Sequence, residues 1–168
     1  MFSIKFCFLF LSVLASLAVG YVIEETSANR PWSHVLDSNN KTYYVYLTPS
    51  YSYKAAKATC EKYDLRVLTI ESEEESKRVT DLLLSEVGYL YKTFWTSGTR
   101  LQDDKLLDYW IWDTTQEKIK FFDWGTGEPT GENENCIQII LNEFSKGSWN
   151  SYFCKNSDLT AYVVCETY

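Results

Sequence analysis

The spacing of apolar positions changes several times along the chain. Phe6 to Val19 is an almost unbroken apolar run, and Tyr21 to Asn40 behind it is polar and weakly patterned, an extended lead-in. Tyr43-Tyr44-Val45-Tyr46-Leu47 is aromatic and β-branched, which predicts a first strand broken at Thr48-Pro49-Ser50. From Tyr53 to Tyr63 the period becomes helical. Tyr53, Ala56, Cys60 and Tyr63 share one face, so Cys60 points toward a core. Leu65, Val67, Leu68 and Ile70 predict a short buried segment. Ser72-Glu73-Glu74-Glu75 has the form of a capping box, and Val79, Leu82, Leu83 and Val87 make the apolar stripe of a second helix ending near Gly88. The acidic triplet reads as a solvated first turn that complements the helix dipole, rather than as a metal site.

Beyond Gly88 the pattern turns to β. Thr93 to Gly98, Tyr109 to Trp112, Ile119 to Phe122, Ile137 to Leu141 and Ala161 to Cys165 all predict strands, separated by Asp, Gly, Lys and Asn. Trp110 and Trp112 fall on one face by alternation, Tyr109 and Ile111 on the other. Core packing is the expected fate of such tryptophans, ahead of a stacking platform for sugars or bases. One strand, two helices and a β-rich half with long loops make an α+β layout.

The opening apolar run is a separate matter. Lys5 supplies a positive start and Ala18-Val19-Gly20 a small-residue cleavage site, so residues 1–20 read as a signal peptide. A signal anchor is the competing reading; the serines and the short length oppose it. No later segment is long and apolar enough to cross a membrane. The expected organisation is a signal peptide at 1–20, an N-terminal extension at 21–42 and one domain at 43–168. Asn40-Lys41-Thr42 is a glycosylation sequon in a chain expected to be secreted. The net charge of −7 over 168 residues argues against nucleic acid as a partner.

Cys7 leaves with the signal peptide, and Cys60, Cys136, Cys154 and Cys165 remain. An even set in an exported chain reads as disulfides, with three pairings open. Zinc is disfavoured, since there is no Cys-x-x-Cys pair and the single histidine, His34, is remote in sequence.

The candidate chemistry lies in two oxygen-rich pieces, Gly125 to Cys136 and Gly147 to Cys154. Glu128, Glu134 and Asn150 offer carboxylate and amide oxygens on irregular segments, which suits a hard cation such as Ca²⁺ with its roughly 6–8 oxygen ligands. Glu128 and Glu134 could also be cast as a glycosidase pair, but two glutamates on one loop are more often a metal-facing or solvent-facing pair, and no Ser/His/Asp or Cys/His set supports an enzyme. Gly125-Thr126-Gly127 lacks the lysine and the helix of a phosphate loop.

Taken in order, the helix ending in Cys60, Leu65 to Glu75, Phe94-Trp95 with Gly98, Glu128-Pro129, Cys136, Trp149-Asn150, Cys154 and Val164-Cys165-Glu166 resemble a C-type lectin-like domain. The likeness is to the short form found in small secreted insect lectins, and it spans Tyr43 to Glu166. It implies two helices with antiparallel sheets and a long-loop region. It also implies Cys60–Cys165 and Cys136–Cys154 pairing, a cis bond before Pro129, and calcium and sugar ligands at Glu128, Thr130, Glu134, Asn150 and Ser151. Thr130 stands where that family has Asn or Asp, and Ser151 where it has Asp. The expected function is a calcium-assisted carbohydrate-binding module tilted toward mannose-type sugars, with glycans or glycoproteins as partners. The alternative is a lapsed calcium site on a domain that binds a protein.

Overall fold

The structure, a computed structural model, describes residues 32, 34–38, 41–50, 52–88, 91–102, 108–155 and 161–168. The signal segment 1–20 and the sequon residue Asn40 lie outside them. The described elements, in chain order, are β1 (His34–Ser38), β2 (Lys41–Ser50), α1 (Tyr53–Glu61), β3 (Arg66–Val67), α2 (Glu73–Val87) and β4 (Lys92–Gln102). Then follow β5 (Asp108–Trp112), β6 (Glu117–Lys118), β7 (Cys136–Leu141), β8 (Trp149–Tyr152) and β9 (Ala161–Glu166).

Some elements differ from the pattern reading, three of them for reasons the pairing and packing make plain. Residues 34–38 are not merely a lead-in; they pair antiparallel with β2, His34 opposite Val45 and Ser38 opposite Lys41. Backbone ladder bonds need no apolar alternation, so such a strand is silent in hydrophobicity. The strand that Pro49 was expected to stop runs on to Ser50, with a register shift against β9 between Tyr46 and Ser50. Pro49 sits in that irregular stretch, where a missing N–H costs no ladder bond. Ile119 to Phe122 is apolar without being a strand. The Ile119 amide bonds to the Trp110 carbonyl, and Phe121 sets its ring 5.7 Å from that of Trp149.

The helices follow their sequence signals. Ser52 caps α1 by accepting from the Ala55 amide at 3.2 Å. Ser72 caps α2 by accepting from the Glu75 amide at 3.2 Å, and Gly88 closes that helix at φ 66°.

The strands run β1-β2-β9-β4-β5-β6, with β3 on β9 and β7 joining β4 to β8. Among the described pairings β4 with β9 is parallel and the others are antiparallel. Alternation along β4 and β9 sorts their side chains to two cores. Phe94 and Val164 face α2 residues Val79, Leu82 and Leu83, while Trp95 and Val163 pack with Ala56 and Cys60 of α1. Gly98 of β4 leaves room for Ile137 of β7: a Cβ there would lie 2.6 Å from Cδ1 of Ile137.

The pairings Cys60–Cys165 and Cys136–Cys154 are both formed. The first ties α1 to β9 across 105 residues and should remove about 4.7 kcal/mol of unfolded-state entropy. The second closes 18 residues at the loop region, worth about 3 kcal/mol on the same account.

Glu75 corrects the reading of the acidic turn. Only 6% of it is exposed, and its carboxylate accepts from the Tyr43 hydroxyl at 2.7 Å, the Lys41 ammonium at 2.8 Å and the Glu71 amide at 2.8 Å. Burial pushes its pKa up, but the Glu71 amide, Lys41 and Tyr43 outweigh it and hold the carboxyl below the usual glutamate value. Fully buried Glu166 stands beside it, bound by Arg66 at 2.8 Å and the Thr69 hydroxyl at 2.7 Å. Here desolvation wins over Lys41, Thr69 and Arg66, and the pKa is raised.

Two predictions follow from this packing. Because the Glu75 pKa is lowered on folding, its contribution is present above the unfolded value of 4.5 and is lost as pH falls through the folded one. Glu75→Gln should therefore cost about 1–3 kcal/mol in urea unfolding at pH 7, with the deficit shrinking below the unfolded value. Trp149→Ala should cost about 3–5 kcal/mol by the same measurement, since its ring has no exposure at all.

Candidate ligand-binding site

Trp149 is the anchor of the oxygen-rich loops. Its amide donates to the Asp123 carbonyl at 2.7 Å and its carbonyl accepts from the Gly125 amide at 2.8 Å, which fastens the loop to β8. Its ring meets Trp112 at 5.7 Å, Phe121 at 5.7 Å and Trp124 at 6.1 Å, edge to face. Asn150 and Ser151 follow it directly on β8, opposite Gln138 and Ile137 of β7. A turn closed by the Glu128 amide on the Gly125 carbonyl, at 3.0 Å, and the cis bond between Glu128 and Pro129 carry the loop back over that strand.

Glu128, Thr130, Glu134 and Ser151 meet in one hydrogen-bonded cluster. The Ser151 hydroxyl lies 2.8 Å from Oε2 of Glu128, 2.8 Å from Oε2 of Glu134 and 3.1 Å from the Thr130 carbonyl. It also accepts from the Thr130 amide at 2.9 Å. Oε2 of Glu128 receives the Ser151 amide at 2.9 Å, and Oε2 of Glu134 the Thr130 hydroxyl at 2.7 Å. Asn150 stands beside this group and donates its Nδ2 to the Ser151 carbonyl at 2.8 Å. The sequence-predicted site residues thus come together, and the 18-residue disulfide loop is what closes them.

At the Ser151 hydroxyl the acceptors outnumber the proton. A serine hydroxyl carries one proton, yet three acceptors surround this one. Two carboxylates approach the same oxygen, and among the described residues no ion pair reaches Glu128 or Glu134. Facing oxygens without a proton between them repel, and a cation relieves that repulsion. The donors are all oxygen with two formal negative charges, which fits a hard divalent ion in kind. In number the fit is thinner, since no group of three or more His, Cys, Asp or Glu gathers among the described residues. Thr130 and Ser151 supply hydroxyls in place of the amide and carboxylate of the family pattern.

Beside the cluster opens a cavity of about 550 Å³, lined by Glu128 and Asn150 and also by Trp124, Tyr91 and Phe144. Phe144 was not legible as part of a site. Its only signal is an aromatic residue set in the polar turn Asn142-Glu143-Phe144-Ser145-Lys146-Gly147.

Comparison with known proteins agrees with this architecture. Residues 49–167 match the model of the lectin C-type domain. The chain is 30% identical over 128 residues to mouse C-type lectin domain family 4 member A, covering 72% of this chain and 48% of that relative, about half its length. It is 24% identical over 111 residues to C-type lectin mosGCTL-7 of Aedes aegypti, covering 64% of this chain and 71% of the mosquito protein. The carbohydrate-recognition domain of the mouse scavenger receptor C-type lectin shares the fold, with a TM-score of 0.61 at 24% identity over 80% of this chain and 95% of that one. The chain belongs to the lectin C-type domain family.

Proposed function

We propose that the chain is an exported lectin module that binds glycans at the Glu128, Glu134 and Asn150 patch with the help of calcium. The observation that carries this reading is the meeting of two carboxylates at the Ser151 hydroxyl with no ion pair to either among the described residues. Glu128, Glu134 and Asn150 would hold the ion, with Thr130 and Ser151 as weaker oxygen donors. When bound, the ion supplies a Lewis-acidic point for a pair of sugar hydroxyls. The chain's own part is to orient that pair: the remaining carboxylate oxygens accept from the sugar, and the Asn150 amide and Thr130 hydroxyl set the donor–acceptor order. Glu128 before Pro129 favours mannose-type sugars. One such site holds a monosaccharide at about mM strength, so several sites or a multivalent glycoprotein would supply avidity.

Export rests on the apolar segment 1–20 with its small-residue cleavage site and on two disulfides, which persist in oxidising compartments. Among the described residues no helix is long and apolar enough to cross a membrane. Glycosylation of Asn40 goes with the same reading.

Calorimetry with CaCl₂ on the oxidised protein should show binding in the millimolar range. Ser151→Asp adds a carboxylate and should tighten it by about tenfold, while Glu134→Gln should abolish it. Retention on a mannose resin should be lost in EDTA. Retention indifferent to chelation, with flat calorimetric heat, would overturn the calcium role and favour a domain that grips a protein through the same loops.

A further inference from the structure

The cavity beside the cluster has an aromatic side that the site residues do not use. Phe144 is 92% exposed and Tyr91 65% exposed, and both line it with Trp124. A single exposed aromatic residue is ordinary on a protein surface. Three aromatic residues lining one cavity are not, because each exposed apolar face is solvated at a cost that a ligand can remove.

The turn that presents Phe144 is fixed in place. The Asn142 side-chain oxygen accepts from the Phe144 amide at 2.8 Å and from the Ser145 amide at 2.7 Å. The Ser145 hydroxyl donates to the Ile140 carbonyl at 2.9 Å, and the Gly147 amide to the same carbonyl at 2.9 Å. Gly147, at φ 95°, lies so close to α2 that a Cβ would collide with the Thr80 side chain. Trp124 is held from behind by Phe122, stacked at 5.7 Å, and by Trp110 at 5.1 Å edge to face. A preorganised wall loses little entropy when a ligand settles on it.

The chemistry of the lining selects the ligand. A pyranose ring has an apolar C–H face that packs flat on an aromatic ring, while its hydroxyls project from its edge. The cavity offers both surfaces: rings at Phe144, Tyr91 and Trp124, and hydroxyls at Thr126 and Ser148. Glu128 is its one ionic group and no lysine or arginine lines it, so a carboxylated or sulfated sugar would meet repulsion. Its volume of about 550 Å³ lies inside the range of roughly 300–1,000 Å³ typical of small-ligand sites. Because Glu128 and Asn150 belong to both places, a sugar held at the cluster would direct its next unit along this wall.

We infer that the wall of Phe144, Tyr91 and Trp124 is a second subsite, which receives the next residue of a neutral oligosaccharide held at Glu128 and Asn150. The inference rests on the sugar-binding reading proposed above and adds a preference for length and for neutral chains.

The test is titration of the oxidised protein in calcium with methyl α-mannoside and methyl β-galactoside, each against its unbranched neutral trisaccharide, followed by tryptophan fluorescence and calorimetry. One trisaccharide should bind about tenfold tighter than its monosaccharide, about 1.4 kcal/mol. Phe144→Ala should erase that gain and leave the monosaccharide affinity unchanged, whereas Phe144→Tyr should keep it. Position 144 is almost fully exposed, so both variants should fold, which unchanged thermal melting would verify. Equal affinity for both lengths, or a gain that survives in Phe144→Ala, overturns the subsite and leaves the primary site standing. Absence of binding by all four sugars overturns both.

Discussion

The fold's candidate chemistry depends on one buried ring. Trp149 has no solvent exposure, and its backbone is bonded on one side to Asp123 and on the other to Gly125. Its neighbours Trp112, Phe121, Phe122 and Trp124 come from β5 and from the long segment that follows β6. A loop of that length has many conformations to lose, and burial of so large an aromatic group offsets the loss. Asn150 and Ser151 inherit their positions from being next in line. The Cys136–Cys154 bridge then holds the two ends of the same piece together.

Glutamates fare differently in two parts of the molecule. Glu75 and Glu166 are buried, and each is matched by cations and donors: Lys41 lies 2.8 Å from one and 3.6 Å from the other, and Arg66 reaches Glu166. That network joins β2, β3, α2 and β9 into one unit, and leaves Oε2 of Glu166, 3.6 Å from Lys41, without a hydrogen bond. Glu128 and Glu134 lie on the loops and converge on the Ser151 hydroxyl, Glu128 also taking the Ser151 amide and Glu134 the Thr130 hydroxyl, and no ion pair reaches either among the described residues. Carboxylates paired with cations in a core hold it together; two that meet on loops with no ion pair are open to a ligand cation. The contrast is the reason for assigning function to the loops and structure to the core acids, although the side chains are the same.

Helical and strand periods were legible wherever the elements are amphipathic. Tyr53, Ala56 and Cys60 mark α1, Val79, Leu82 and Leu83 mark α2, and β4, β7 and β9 fall within a residue or a few of their apolar runs. β1 and β8 were not legible, because short polar strands are made by partners on other strands and not by their own composition. Ile119 to Phe122 misled for the converse reason: apolar residues serve packing as well as ladders, and here they serve Trp149.

The sequence by itself determined the α+β class, the family pattern, the cysteines available for bridging and the identities of Glu128, Thr130, Glu134, Asn150 and Ser151. These are local facts, expressed in spacing and side-chain type. Only the tertiary structure decided that Ser151 stands between two carboxylates, that Glu75 is buried against Lys41, and that Phe144 shares a cavity with Glu128. Each of those depends on distances between residues far apart in the chain: the first and last are set by how the loops pack on Trp149 and by the register of β7 against β8, the second by how α2 meets β2.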